Sequence, residues 1–121
     1  MKEQTDFAKY LTKFLSIHLP HERNFSPNTI SSYRDAFVLY LSFMRKEKGK
    51  KAENVFLADI TRDNVLDYLE WLADTKKSSI STRNNRLAAI HAFVSYLQYQ
   101  CFDRLDLLRG VLAIKSMKKV I

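Results

Sequence analysis

The chain has 121 residues, 46% of them hydrophobic and 12% aromatic, which suits one domain with a real core and excludes a disordered tail. Only two Gly and two Pro occur, too few for the turns of a multi-stranded sheet, so an all-α fold is expected. Twenty Lys and Arg against thirteen Asp and Glu give a net charge of +7, which suits a polyanionic partner but is also met in basic domains that merely stay soluble.

The first helix is expected from about Thr5 to Leu19, with Phe7, Tyr10, Leu11, Phe14 and Leu15 on one face and Pro20 as its stop. The second starts at Ser26, a good N-cap, with Pro27 at the first helical position. Its apolar stripe is Ile30, Tyr33, Phe37, Leu41 and Met44, and Gly49 closes it. Lys50–Asp59 reads as a connecting loop, flanked by Lys46, Lys48, Lys50 and Lys51.

Thr61 caps a third helix, with Asp63 near its positive end and Ile60 and Val65 as a hydrophobic staple. Val65, Leu66, Tyr68, Leu69 and Leu72 are expected to point inward. Lys76–Ser79 links it to a fourth helix, about Ile80 to Gln100. A weaker segment from Asp103 to about Ile114 carries Leu105, Leu108, Val111 and Leu112, and a basic tail, KSMKKVI, follows. The expectation is four long helices plus a short C-terminal one, with no internal repeat.

Self-contained catalysis is not expected. His18 and His21 are separated by Pro20 and lack partners for a metal site, and no cofactor motif occurs. Cys101 has no second cysteine and reads as a buried structural thiol, consistent with a reducing compartment. The start, MKEQTDFAKY, lacks the apolar run of a signal peptide, and no stretch approaches the roughly 18 apolar residues of a membrane span. A cytosolic location is expected.

The beginnings of the second and fourth helices stand out. On a helical wheel Leu87, Ile90, Val94, Leu97 and Cys101 share one arc, and Arg83 falls on that arc one turn earlier. The buried stripe therefore stops before Leu87, and the first turns are expected to project beyond the core. A helix start offers free N–H groups and partial positive charge to phosphate oxygens. Ser79, Ser81, Thr82, Asn84 and Asn85 add neutral donors, and Arg83 and Arg86 add cationic forks. The segment SPNTISSYR repeats the design with Asn28, Thr29, Ser31, Ser32 and Arg34, so that both starts could enter one groove. Ordinary capping explains part of this pattern; it explains less well why both first turns lack Asp and Glu.

The ordered segments Ser26-x-Asn28-Thr29-Ile30-x-x-Tyr33, Asp59-Ile60-Thr61, Val65-x-x-Tyr68-Leu69, Thr82-x-Asn84-Asn85-Arg86-Leu87-Ala88-Ala89-Ile90-His91-Ala92-Phe93 and Tyr96-Leu97 resemble the N-terminal core-binding domain of tyrosine recombinases and phage-type integrases. The resemblance covers roughly Phe7 to Ile114. It implies a SAM-like orthogonal helical bundle forming half of a clamp around double-stranded DNA. It places Asn28, Thr29, Ser31 and Ser32 of the second helix, and Ser81, Thr82, Arg83, Asn85 and Arg86 of the fourth, toward the major groove. Family members often carry Arg at the position of His91, so a phosphate contact there is expected to be weaker or pH-dependent. The family's catalytic residues belong to a second domain, and nothing in this chain matches them. The resemblance therefore implies a DNA-binding domain over residues 1–114, with 115–121 opening a linker to a catalytic domain.

The implied setting is cytoplasmic, at a bacterial nucleoid, with other recombinase protomers as partners on DNA and the isolated segment a monomer. Two other readings stay open. A helical protein-interaction domain should expose aromatics or Leu where these helix starts show Ser, Asn and Arg. A stand-alone helix-turn-helix regulator wants a shorter turn than most of these links offer.

Overall fold

The computed structural model describes residues 3–100 and 105–117. All regular structure among them is helical: α1 (Asp6–Lys13), a π-helical segment (Phe14–Glu22), α2 (Pro27–Lys48), α3 (Arg62–Asp74), α4 (Ile80–Gln100) and α5 (Leu105–Leu112), with two short 3-10 turns. They fall into two compact units, one ending at Asp59 and the other beginning at Ile60. The expectations for Cys101 and for Lys118 and Lys119 lie outside the described residues.

In the first unit Thr5 caps α1, its Oγ1 accepting from Ala8 N at 3.2 Å. The helix does not stop at Pro20. Inside an α-helix a proline lacks an N–H and collides with the carbonyl four residues back. Here the winding widens at Phe14 into π turns that carry Pro20 through and close where Arg23 N donates to His18 O at 2.8 Å. Asn24, at φ 53°, then turns the chain into α2. That helix begins and ends as its sequence indicates: Ser26 Oγ accepts from Thr29 N, and Gly49 adopts a left-handed φ of 68°.

Phe14, fully buried, meets Phe37 edge-on at 6.4 Å and stacks on Tyr33 at 6.5 Å. The Lys50–Asp59 loop is firmly tied. Val55 and Leu57 are buried, Tyr40 Oη donates to Asp59 O at 2.8 Å, and Leu57 N donates to Asp6 Oδ1 at 2.9 Å. The Asp59 carboxylate accepts from Phe56 N at 2.8 Å and from Lys50 Nζ at 2.6 Å.

In the second unit Thr61 Oγ1 accepts from Asn64 N at 3.0 Å, and the staple residues Ile60 and Val65 are both buried. Val65, Tyr68, Leu69 and Leu72 form the inward stripe of α3. Leu66, expected among them, is 39% exposed because it lies one residue off that spacing. The α3–α4 link passes through Lys77 at φ 55°. Leu87, Ile90, Phe93, Val94 and Leu97 of α4 and Leu108 and Val111 of α5 are buried. Two side chains hold carbonyls at the end of α5: Arg62 Nη1 donates to Gly110 O at 3.1 Å, and His91 Nε2 bonds Val111 O at 2.9 Å.

Candidate nucleic-acid interface

The two polar helix starts share one local device. Ser26 Oγ accepts from Thr29 N at 3.3 Å and lies 3.0 Å from Thr29 Oγ1. At α4, Ser79 Oγ accepts from Thr82 N and donates to Thr82 Oγ1, both at 3.1 Å. Each start is thus capped by a Ser and a Thr three residues on, which binds one of the free N–H groups and leaves the others. Neither first turn contains an acid of its own to offset the positive end of its helix.

On α2, Asn28, Thr29, Ser31, Ser32 and Arg34 are all exposed within the first turns. On α4 the surroundings differ from expectation. Asn85 is exposed, but Ser81, Thr82, Arg83, Asn84 and Arg86 are half-buried, so the turns do not project clear of the protein. Two physical causes account for this. The Arg83 stem continues the apolar arc of Leu87, as long cationic side chains readily do. The chain also returns after α5, where Asn84 Nδ2 donates to Met117 O and Met117 N donates to Asn84 Oδ1, both at 2.9 Å. The Nε atoms of Arg83 and Arg86 are enclosed, and Arg83 Nε meets no hydrogen-bond acceptor among the described residues.

Arg86 stands near Tyr68. Burial pushes the Tyr68 phenol well above its usual value, and the Arg86 charge opposes that shift without cancelling it. The Nε2 of His91, the position expected to give a weaker phosphate contact, is engaged with Val111 O. The tail-holding role of Asn84 and the helix-tying role of His91 have no signal in the sequence, since their partners lie 33 and 20 residues away.

Chemically, each start presents short neutral donors and a first turn without acids, with one guanidinium group at α2 (Arg34) and two at α4 (Arg83 and Arg86). Such a set suits phosphate oxygens and base edges. Among the described residues no cluster of three or more His, Cys, Asp or Glu could hold a metal, and no helix is long and apolar enough to cross a membrane.

Residues 11–100 match the family described as phage integrase, N-terminal SAM-like domain. A Sinorhizobium fredii protein named as a candidate integrase/recombinase, y4rC, is 31% identical over 98% of this chain and 36% of its own length. A second such protein of that organism, y4rD, is 34% identical over 80% of this chain and 34% of its own length. Tyrosine recombinase XerC of Herpetosiphon aurantiacus is 34% identical over 74% of this chain and 27% of its own length. The chain thus spans about a third of the curated relatives it matches, or less. No solved structure matches it.

Proposed function

The chain belongs to the phage integrase N-terminal SAM-like domain family, and on that premise we propose that it grips duplex DNA at the recombination site of a tyrosine recombinase. The observation that carries this reading is the pair of acid-free helix starts, each closed by the same Ser–Thr cap. Asn28, Thr29, Ser31 and Ser32 set the position of α2 against phosphates. Ser81 and Thr82 do the same for α4, while Arg83 and Arg86 supply charge or guanine contacts and Asn85 suits adenine.

Residues 1–114 act as the DNA-binding domain. Residues 115–121 open the linker to a catalytic domain, which carries strand cleavage and rejoining; this segment itself contributes binding. It works on DNA in the cytoplasm, at the nucleoid, with other protomers of the recombinase. Alone it is a monomer of modest affinity, about 10⁻⁴–10⁻⁶ M at physiological salt.

Fluorescence anisotropy with labelled duplex across a salt series tests this reading, comparing wild type with an Arg83→Gln/Asn85→Ala variant. Gln keeps much of the half-buried Arg83 stem, and Arg86 is left in place because its loss would also disturb Tyr68. The variant should keep its helical circular dichroism and lose about 1–3 kcal/mol of binding if one base pairing is removed, or flatten the salt slope by about 0.9 if one phosphate contact is removed. Unchanged affinity and slope would refute the assignment.

A further inference from the structure

The far end of α2 carries positive charge that the helix starts do not explain. A surface cavity of about 520 Å³ is lined by Leu41, Ser42, Arg45, Lys46, Lys51 and Ala52. Half of that lining is cationic and none is acidic. Neighbouring lysines are already engaged: Lys50 pairs with Asp59 at 2.6 Å, and Lys48 Nζ lies 5.9 Å from the centroid of the Phe43 ring. Arg45, Lys46 and Lys51 are exposed and pair with no acid among the described residues. Ser42 is half-buried, and its hydroxyl makes no hydrogen bond with a described residue.

Cations in a last helical turn ordinarily answer the negative end of the helix. That accounts for Arg45 and Lys46. It does not account for Lys51, which lies beyond the Gly49 cap yet lines the same cavity. Three like charges around one cavity make a local positive potential that attracts an anion.

We propose that this cavity is a backbone-phosphate site for duplex DNA, separate from the helix starts; it extends the DNA-binding reading above and rests on it. From Thr29 to Arg45 the helix rises about 24 Å at ~1.5 Å per residue, twice the ~12 Å width of a major groove. The cavity therefore lies outside a major groove that receives the start of α2, where a duplex running along the helix presents phosphates and not base edges. The lining suits this: charges from Arg45, Lys46 and Lys51 and a hydroxyl donor from Ser42 bind phosphate without reading bases. An acidic peptide is the poorer fit, because Leu41 and Ala52 offer no aromatic anchor.

The test is an anisotropy salt series with labelled duplex of arbitrary sequence, comparing wild type, an Arg45→Gln/Lys46→Gln/Lys51→Gln variant and the Arg83→Gln/Asn85→Ala variant. The three cavity cations are exposed, so the first variant should keep its circular dichroism and urea midpoint. It should flatten the slope of log K against log salt by about 2–3, from ~0.9 per phosphate, and do so equally for every sequence. An unchanged slope overturns the proposal. So does a loss confined to binding of polyglutamate, which marks an acidic-protein site. If only the helix-start variant loses binding, the cavity assignment fails alone. If only the cavity variant loses it, the cavity stands and the helix-start reading fails.

Discussion

Replacing His91 by alanine separates a structural role from a DNA-contacting one. The structure engages Nε2 with Val111 O at 2.9 Å, one turn-closing bond at the end of α5. A hydrogen bond of this kind contributes a net ~0.5–1.5 kcal/mol, and a buried carbonyl left without its donor raises the cost toward ~1–3 kcal/mol. Val111 itself is fully buried, so water does not easily replace the imidazole there. About 1–2 kcal/mol is therefore expected, which for a chain this size lowers Tm by roughly 4–8 °C.

Arg62 holds the adjacent Gly110 carbonyl from an exposed position, so Arg62→Ala should cost less, about 0.5 kcal/mol. Since both side chains secure the same turn, the double variant should depart from additivity by about 0.5 kcal/mol or more. Urea unfolding followed by circular dichroism measures all four chains, and the anisotropy salt series is run on each. His91→Ala should leave the salt slope unchanged. The reasoning is refuted if stability stays within about 0.3 kcal/mol of wild type while the slope flattens by about 0.9, the signature of one lost phosphate contact.

Tyr68 gives an alkaline signature. Its folded-state pKa is raised above the unfolded value of about 10, so the folded state holds the phenolic proton more tightly. The associated stability is fully present below pH ~10 and is lost at up to ~1.4 kcal/mol per unit as pH rises beyond it. Tyr68→Phe should flatten this decline in urea midpoints, and equal decline in both chains contradicts the assignment. Lys77→Gly should stabilise: a side chain in the left-handed region costs ~1–2 kcal/mol, and glycine's extra unfolded entropy offsets ~0.5–1 of it, leaving a gain of up to about 1.5 kcal/mol in chemical denaturation. Phe14→Ala should cost about 3–5 kcal/mol, because its fully buried ring meets Phe37, Tyr33 and His18; a loss under ~1 kcal/mol by the same unfolding assay would show the ring is not enclosed.

Features governed by neighbours along the chain were legible in the sequence. Ser26, Pro27 and Gly49 bound α2, Thr61 starts α3, and the spacing of Leu87, Ile90, Val94 and Leu97 marks the buried side of α4. Features set by distant partners were not. Asp6 accepts from Leu57, Tyr40 donates to Asp59, and Asn84 holds Met117, and nothing local to either partner announces the other. Pro20 shows a third case: its usual meaning depends on α spacing, and the widened winding removes that premise. The start of α4 was half legible. The wheel put Arg83 on the buried arc, which explains its enclosed Nε, but the returning tail that helps cover these turns is a tertiary event.

The most direct measurement of the central claim is an NMR titration of the isotope-labelled chain with duplex DNA at low salt, following every backbone amide. The DNA-gripping account predicts the largest shift changes at residues 27–34 and 79–86, fading as salt is raised, with a second group around Arg45 and Lys51. Changes centred instead on exposed apolar residues such as Ile17, Val38 or Tyr99, or no change at all, would contradict it.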